Sequence, residues 1–151
     1  MGIYLNPGND LFAQALSSEI YVDKSMLIRL TNERLNSNDR HICISRPRRF
    51  GKSMAANMLV AYYSRNCDSK ELFSSLAIAD TLDFEDHLNK YNVIHLDMTR
   101  FASKAPDIKG MIDRLELTLK QELSELCADI SYPDFYSSDE ILTLIYNKHR
   151  I

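Results

Sequence analysis

The sequence predicts an α/β fold, and three observations carry that expectation. Short apolar stretches alternate with longer segments of helical periodicity. One of the short stretches, His41-Ile-Cys-Ile-Ser45, runs directly into a basic loop that closes on Gly51-Lys52-Ser53. The loop opens at once into Met54–Tyr63, a run apolar on nearly every side, as a helix packed on a sheet would be.

Asn6-Pro-Gly-Asn-Asp10 has turn chemistry and reads as an exposed entry segment. Glu19-Ile-Tyr-Val-Asp23 is short and β-branched. Met26, Leu27, Leu30 and Leu35 then keep near-helical spacing, with Ser25 as the expected N-cap and Asn36–Asp39 as the polar loop that ends the helix. The strand at 41–45 and the buried helix at 54–63 follow. Asp83–Lys90 reads as a helix acidic at its start, and Asn92-Val-Ile-His-Leu-Asp97 as a second buried strand. The longest helix is expected from Pro106 to about Ala128. Ile108, Met111, Ile112, Leu115, Leu119, Leu123 and Leu126 share its apolar face, and Pro106 suits the first turn. Ser137-Ser-Asp-Glu140 has the form of a capping box for a last helix, Ile141–His149.

With 45% hydrophobic and 26% charged residues, the 151-residue chain has the means to bury one core. Its formal net charge of −3 offers no global attraction to nucleic acid or anionic membrane. The three cysteines, Cys43, Cys67 and Cys127, are odd in number and far apart, which speaks against a disulfide framework or a zinc site. The histidines His41, His87, His95 and His149 show no ligand spacing. No apolar run approaches the about 18 residues of a membrane helix. The N-terminus lacks the form of a secretory signal, so a cytoplasmic location and no membrane partner are expected.

Ser45-Arg-Pro-Arg-Arg-Phe-Gly-Lys-Ser53 is a candidate P-loop. Such loops work because successive backbone N–H groups converge on phosphate oxygens at a helix N-terminus, Lys adds a point charge, and the following hydroxyl ligates Mg²⁺. The expected cofactors are therefore ATP and Mg²⁺. The binding residues are Arg49, Phe50, Gly51, Lys52 and Ser53, with Ser53 as the metal ligand. One departure stands out: the usual first glycine, five positions before Gly51, is Arg46. The competing readings are a chance Gly-Lys-Ser beside a solvated arginine cluster, and a nucleic-acid patch formed by Arg46, Arg48 and Arg49. The latter stands alone in an acidic chain without interleaved aromatics, so nucleic acid is not supported.

Two segments, Ile20-Tyr-Val-Asp-Lys24 and Ile44–Ser53 running into Met54-Ala-Ala-Asn57, resemble the AAA-ATPase-like family of bacterial and archaeal proteins. Members of that family often carry a PD-(D/E)XK nuclease-like domain further along the chain. The Arg-Pro-Arg-Arg form is usual for the family's P-loop, and Asn92–Phe101 looks like its second strand. The resemblance implies a three-layer αβα P-loop NTPase with a mostly parallel sheet. Residues 1–151 would be its N-terminal part: 1–40 an entry segment and helix, 41–151 the core as far as the expected Walker B strand. It also implies that strands 42–45 and 93–97 lie apart, so that a homo-oligomer or a C-terminal portion would complete the sheet. Arg46, Arg48 and Arg49 would add charge or contact a neighbouring subunit.

A Walker B pair is the missing part of the expected site. Asp97 ends an apolar run, but Met98 follows where a second carboxylate would stand, so Asp97 reads first as a turn cap. Glu85 and Asp86 read as a solvated helix start, and Tyr62 and Tyr63 as core. Pro106-Asp107 and Pro133-Asp134 resemble the opening of a nuclease motif but lack its Asp/Glu-x-Lys, so no nuclease site is expected here. The function expected is nucleotide binding as part of an AAA-like ATPase, with no catalytic residue assigned. The alternative is a truncated, non-catalytic remnant or interaction module without ATP turnover.

Overall fold

A computed structural model describes residues 2–126 together with Glu140 and Thr143. The described residues are helical and contain no sheet; their only β pairings are two isolated bridges, Leu5 with Ile94 and Ser64 with Tyr91. The expected three-layer αβα arrangement with a mostly parallel sheet is therefore corrected. Neither apolar stretch finds a strand to pair with. Residues 41–45 are exposed and make no backbone hydrogen bond with any described residue. Residues 93–95 bond instead to the N-terminal segment, through Asn6 N–H to Val93 O (2.8 Å) and His95 N–H to Tyr4 O (2.8 Å). A strand exists only through its ladder, and these segments have none.

Two structural units divide the chain. The larger, Asn6–Val93, holds α1 (Asp10–Leu16), α2 (Met26–Asn32), α3 (Lys52–Tyr63), α4 (Lys70–Phe73), a 3-10 turn at Ala77–Asp80 and α5 (Phe84–His87). Its core gathers Phe12, Ile28, Met58, Ala61, Tyr62, Phe73, Leu76, Ile78 and Phe84. Phe12 stacks on Phe73 at 4.9 Å between centroids, and Tyr62 meets Phe73 edge-on at 5.6 Å. Tyr62 is thus core, as expected. Its hydroxyl donates to Phe84 O (2.6 Å), and burial raises its pKa. Tyr63 packs partly buried against the same core, where its hydroxyl donates to Asn32 Oδ1 (2.6 Å).

The expected helix at 26–35 ends at Asn32; Ser25 stands at its N-cap position as expected, but its side chain makes no capping bond. The fully buried Ser25 hydroxyl instead accepts from Ile78 N–H (3.1 Å), which fastens the start of α2 to the 3-10 turn. The segment 83–90 narrows to α5 because Leu88 turns extended and Asn89 adopts φ +54°. Glu85, in the first turn of α5, is solvated and pairs with Lys70 at 2.5 Å.

Asn89 secures the far end of α3. Its Nδ2 donates to Ala61 O, a carbonyl in the last turn of α3, and to Ser64 O at the C-cap (2.9 Å each). Its Oδ1 accepts from Ser69 N–H (3.0 Å). Asn89→Ala removes these bonds and puts a residue poorly suited to a left-handed φ in their place. The expected cost is about 2–3 kcal/mol, read as a lower urea midpoint at constant slope. An unchanged midpoint would refute the clamp.

The smaller unit, Met1–Leu5 with Ile94–Ile151, contains α6 (Met98–Ala102) and α7 (Ile108–Leu126). Leu119 and Leu123 are buried on α7. Leu119 forms a core with Tyr4 and Phe101, against which Met111, Leu115 and Leu96 pack. Every fourth residue therefore faces inward, as the spacing predicts, but Ile108 and Ile112 lie exposed. The Glu122 carboxylate accepts from Tyr4 N–H at 3.0 Å, and a side chain at Gly2 would collide with Glu122 and Leu5. The expected last helix at 141–149 and its capping box lie outside the described residues, apart from Glu140 and Thr143.

Candidate functional site

The loop 46–53 has an unusual backbone for its composition. Arg49 has φ +70° and Gly51 φ +75°, so two left-handed residues bracket Phe50 immediately before α3. For Arg49 that conformation costs about 1–2 kcal/mol, strain of the kind that collects at ligand sites. Arg46 is not among the positive-φ residues. Position 46 thus has no backbone need for glycine, which accounts for the tolerance of arginine there.

Left-handed residues spaced in this way are the backbone pattern found where successive N–H groups converge on an anion. The turn at Arg48–Arg49 directs the Phe50 N–H toward Pro47 O, whereas no acceptor among the described residues meets the backbone N–H groups of Arg49, Gly51, Lys52 or Ser53. They stand at the positive end of a 12-residue helix. The Lys52 ammonium folds back onto the loop, donating to Arg46 O (2.5 Å) and Pro47 O (3.1 Å). Ser53, second residue of α3, is exposed.

A second ammonium reaches the same loop. Lys24 Nζ donates to Phe50 O (2.9 Å) and lies 2.9 Å from the position a Cβ on Gly51 would take. Its backbone is tied down on both sides. Lys24 O accepts from Leu27 N–H (2.9 Å) at the start of α2. The preceding Asp23 carboxylate accepts from Ser25 N–H (2.7 Å) and from Ala77 N–H (2.9 Å). Burial works to raise the Asp23 carboxyl; the Ala77 and Ser25 hydrogen bonds outweigh it and hold it below its usual range.

Arg46, Arg48, Arg49, Lys52 and Lys24 thus gather around one loop. Among the described residues none of them has a carboxylate partner within salt-bridge distance; the ion pairs there are Arg29–Glu33 and Lys70–Glu85. A polyanion suits that charge balance. The residues present therefore fit a polyphosphate: free N–H donors, a surplus of cations and an open glycine. They supply one hydroxyl, from Ser53, toward a divalent cation. No group of three or more His, Cys, Asp or Glu with metal-binding geometry occurs among the described residues.

Asp97 lies in the smaller unit, where it caps α6. Its carboxylate accepts from the Thr99 hydroxyl (2.5 Å) and Thr99 N–H (3.0 Å), which hold it below the usual carboxylate range. The capping role expected of it is the one it has, although the run before it is not a strand. Among the cysteines, Cys43 is exposed, and Cys67 is half-buried with its thiol raised mainly by burial.

Lys24 is the residue that the loop motif alone does not single out. Its local signal is the Asp-x-Ser Asx turn at Asp23–Ser25, which marks a fixed start for α2. Nothing in that signal announces a partner 26 residues away. No helix among the described residues is long and apolar enough to cross a membrane. Neither the curated proteins nor the solved structures provide a significant match. A family model described as Predicted AAA-ATPase matches residues 12–150, and the chain belongs to that AAA-ATPase-like family.

Proposed function

We propose that loop 46–53 and the head of α3 bind the polyphosphate of ATP together with Mg²⁺, as the nucleotide site of an AAA-like ATPase. One observation carries the reading: the successive N–H groups of Gly51, Lys52 and Ser53, with that of Arg49, stand without acceptors among the described residues at a helix N-terminus. Lys52, now spending its ammonium protons on two loop carbonyls, would exchange them for β- and γ-phosphate oxygens, a charge-assisted and stronger interaction. Ser53 would provide the hydroxyl for Mg²⁺, which neutralises phosphate charge when bound.

Calorimetric titration of the full chain with ATP, with and without Mg²⁺, tests the reading. Saturable Mg-dependent binding that Lys52→Ala abolishes is expected. Absence of binding by the wild type would favour a non-catalytic interaction module instead. Salt-sensitive DNA binding indifferent to ATP would reassign the arginine loop to nucleic acid.

A further inference from the structure

The Phe50–Gly51 peptide joins Phe50, which two left-handed residues bracket, to the N-cap of α3, and so precedes the helix's own hydrogen-bond ladder. Its carbonyl is held by Lys24 Nζ at 2.9 Å. In a trans peptide the N–H points opposite to the C=O, and every described peptide bond here is trans. Grasping the Phe50 carbonyl therefore also aims the Gly51 N–H, directing it away from Lys24. Gly51 is the N-cap of α3, so its N–H opens the run of donors, Gly51 to Ser53, that meet no acceptor among the described residues.

We infer that Lys24 is a positioning residue of the phosphate loop: its ammonium sets the Phe50–Gly51 peptide plane and so presents the Gly51 N–H to the bound anion. Three features support this role. The Lys24 backbone is anchored by Asp23 and by the first turn of α2, so the ammonium departs from a fixed point. Lys24 has no carboxylate partner among the described residues, so the carbonyl faces no competitor for it. Gly51 leaves the space that Lys24 Nζ occupies; a Cβ there would stand 2.9 Å from that nitrogen. The inference rests on the nucleotide reading for the identity of the anion, but the peptide orientation can be measured without it.

The test uses the full chain with Lys24→Met and Lys24→Arg. Two readouts are taken: the Gly51 amide resonance of the ligand-free protein, and affinities for Mg·ATP and inorganic tripolyphosphate by calorimetry. Lys24→Met is expected to shift the Gly51 amide and to weaken both ligands about tenfold, the loss of one charged hydrogen bond's worth of preorganisation. Lys24→Arg, which keeps a donor, is expected to restore most of both. Because Lys24 is exposed, thermal stability should change little. An unmoved Gly51 amide in Lys24→Met overturns the inference whatever the affinities. A moved amide with wild-type affinities overturns it as well. If the wild type binds neither ligand while the amide moves, the nucleotide reading fails and control of the peptide plane by Lys24 is upheld.

Discussion

Phe73→Ala is expected to cost about 3–5 kcal/mol and to bring the Asn6–Val93 unit near its unfolding threshold. Phe73 is fully buried on α4, a helix of only four residues that has little stability of its own. The ring stacks on Phe12, meets Tyr62 edge-on and lies 6.4 Å from Phe84 between centroids, so it joins α1, α3 and α5 at once. Removing it opens a cavity between rigid rings that cannot collapse without moving all three helices. Urea denaturation followed by circular dichroism gives the measurement. A midpoint within error of wild type would show that these rings do not form the unit's core. Phe73→Leu, which keeps most of the volume, should recover the larger part of the loss.

Lys52→Ala is expected to reduce Mg·ATP affinity by at least a hundredfold while leaving stability within about 0.5 kcal/mol of wild type. The asymmetry follows from exposure. The Arg46 and Pro47 carbonyls that lose the ammonium are exposed, and water replaces it at little cost. A polyphosphate that loses the same cation forfeits a charge-assisted bond with no equivalent substitute. Lys52→Arg should not restore binding, because a planar, longer guanidinium cannot fold into the seat that a point-like ammonium fills. Binding by Lys52→Ala within a few-fold of wild type would place the nucleotide elsewhere.

What was legible in the sequence is what depends on neighbours along the chain. The stripe Met111, Leu115, Leu119, Leu123 reports a helix because its period is local, and α7 turns that face inward. Lys52–Tyr63 is helical because Met, Ala and Leu favour that state and no proline interrupts it. The strands failed for the complementary reason. Ile42 and Ile44 advertise an apolar stretch, but a strand requires a partner, and the identity of that partner is not written in the stretch itself. Residues 92–97 misled in the same way; their backbone bonds went to the N-terminal segment instead. Within the candidate site, Gly51, Lys52 and Ser53 could be read from type and order. Arg49's left-handed backbone could not, since arginine rarely adopts it, and neither could Lys24, whose contact spans 26 residues.

The exposed stretch at 41–45 has a colloidal consequence. An exposed segment carrying Ile42, Cys43 and Ile44, whose backbone groups pair with no described residue, is a template for lateral pairing between molecules, the first step of aggregation. Arg40 precedes it and Arg46, Arg48 and Arg49 follow, so two aligned copies would bring rows of like charge together. These arginines act as gatekeepers. The positive charge proposed to draw an anion to the loop would also keep this segment from joining its own kind.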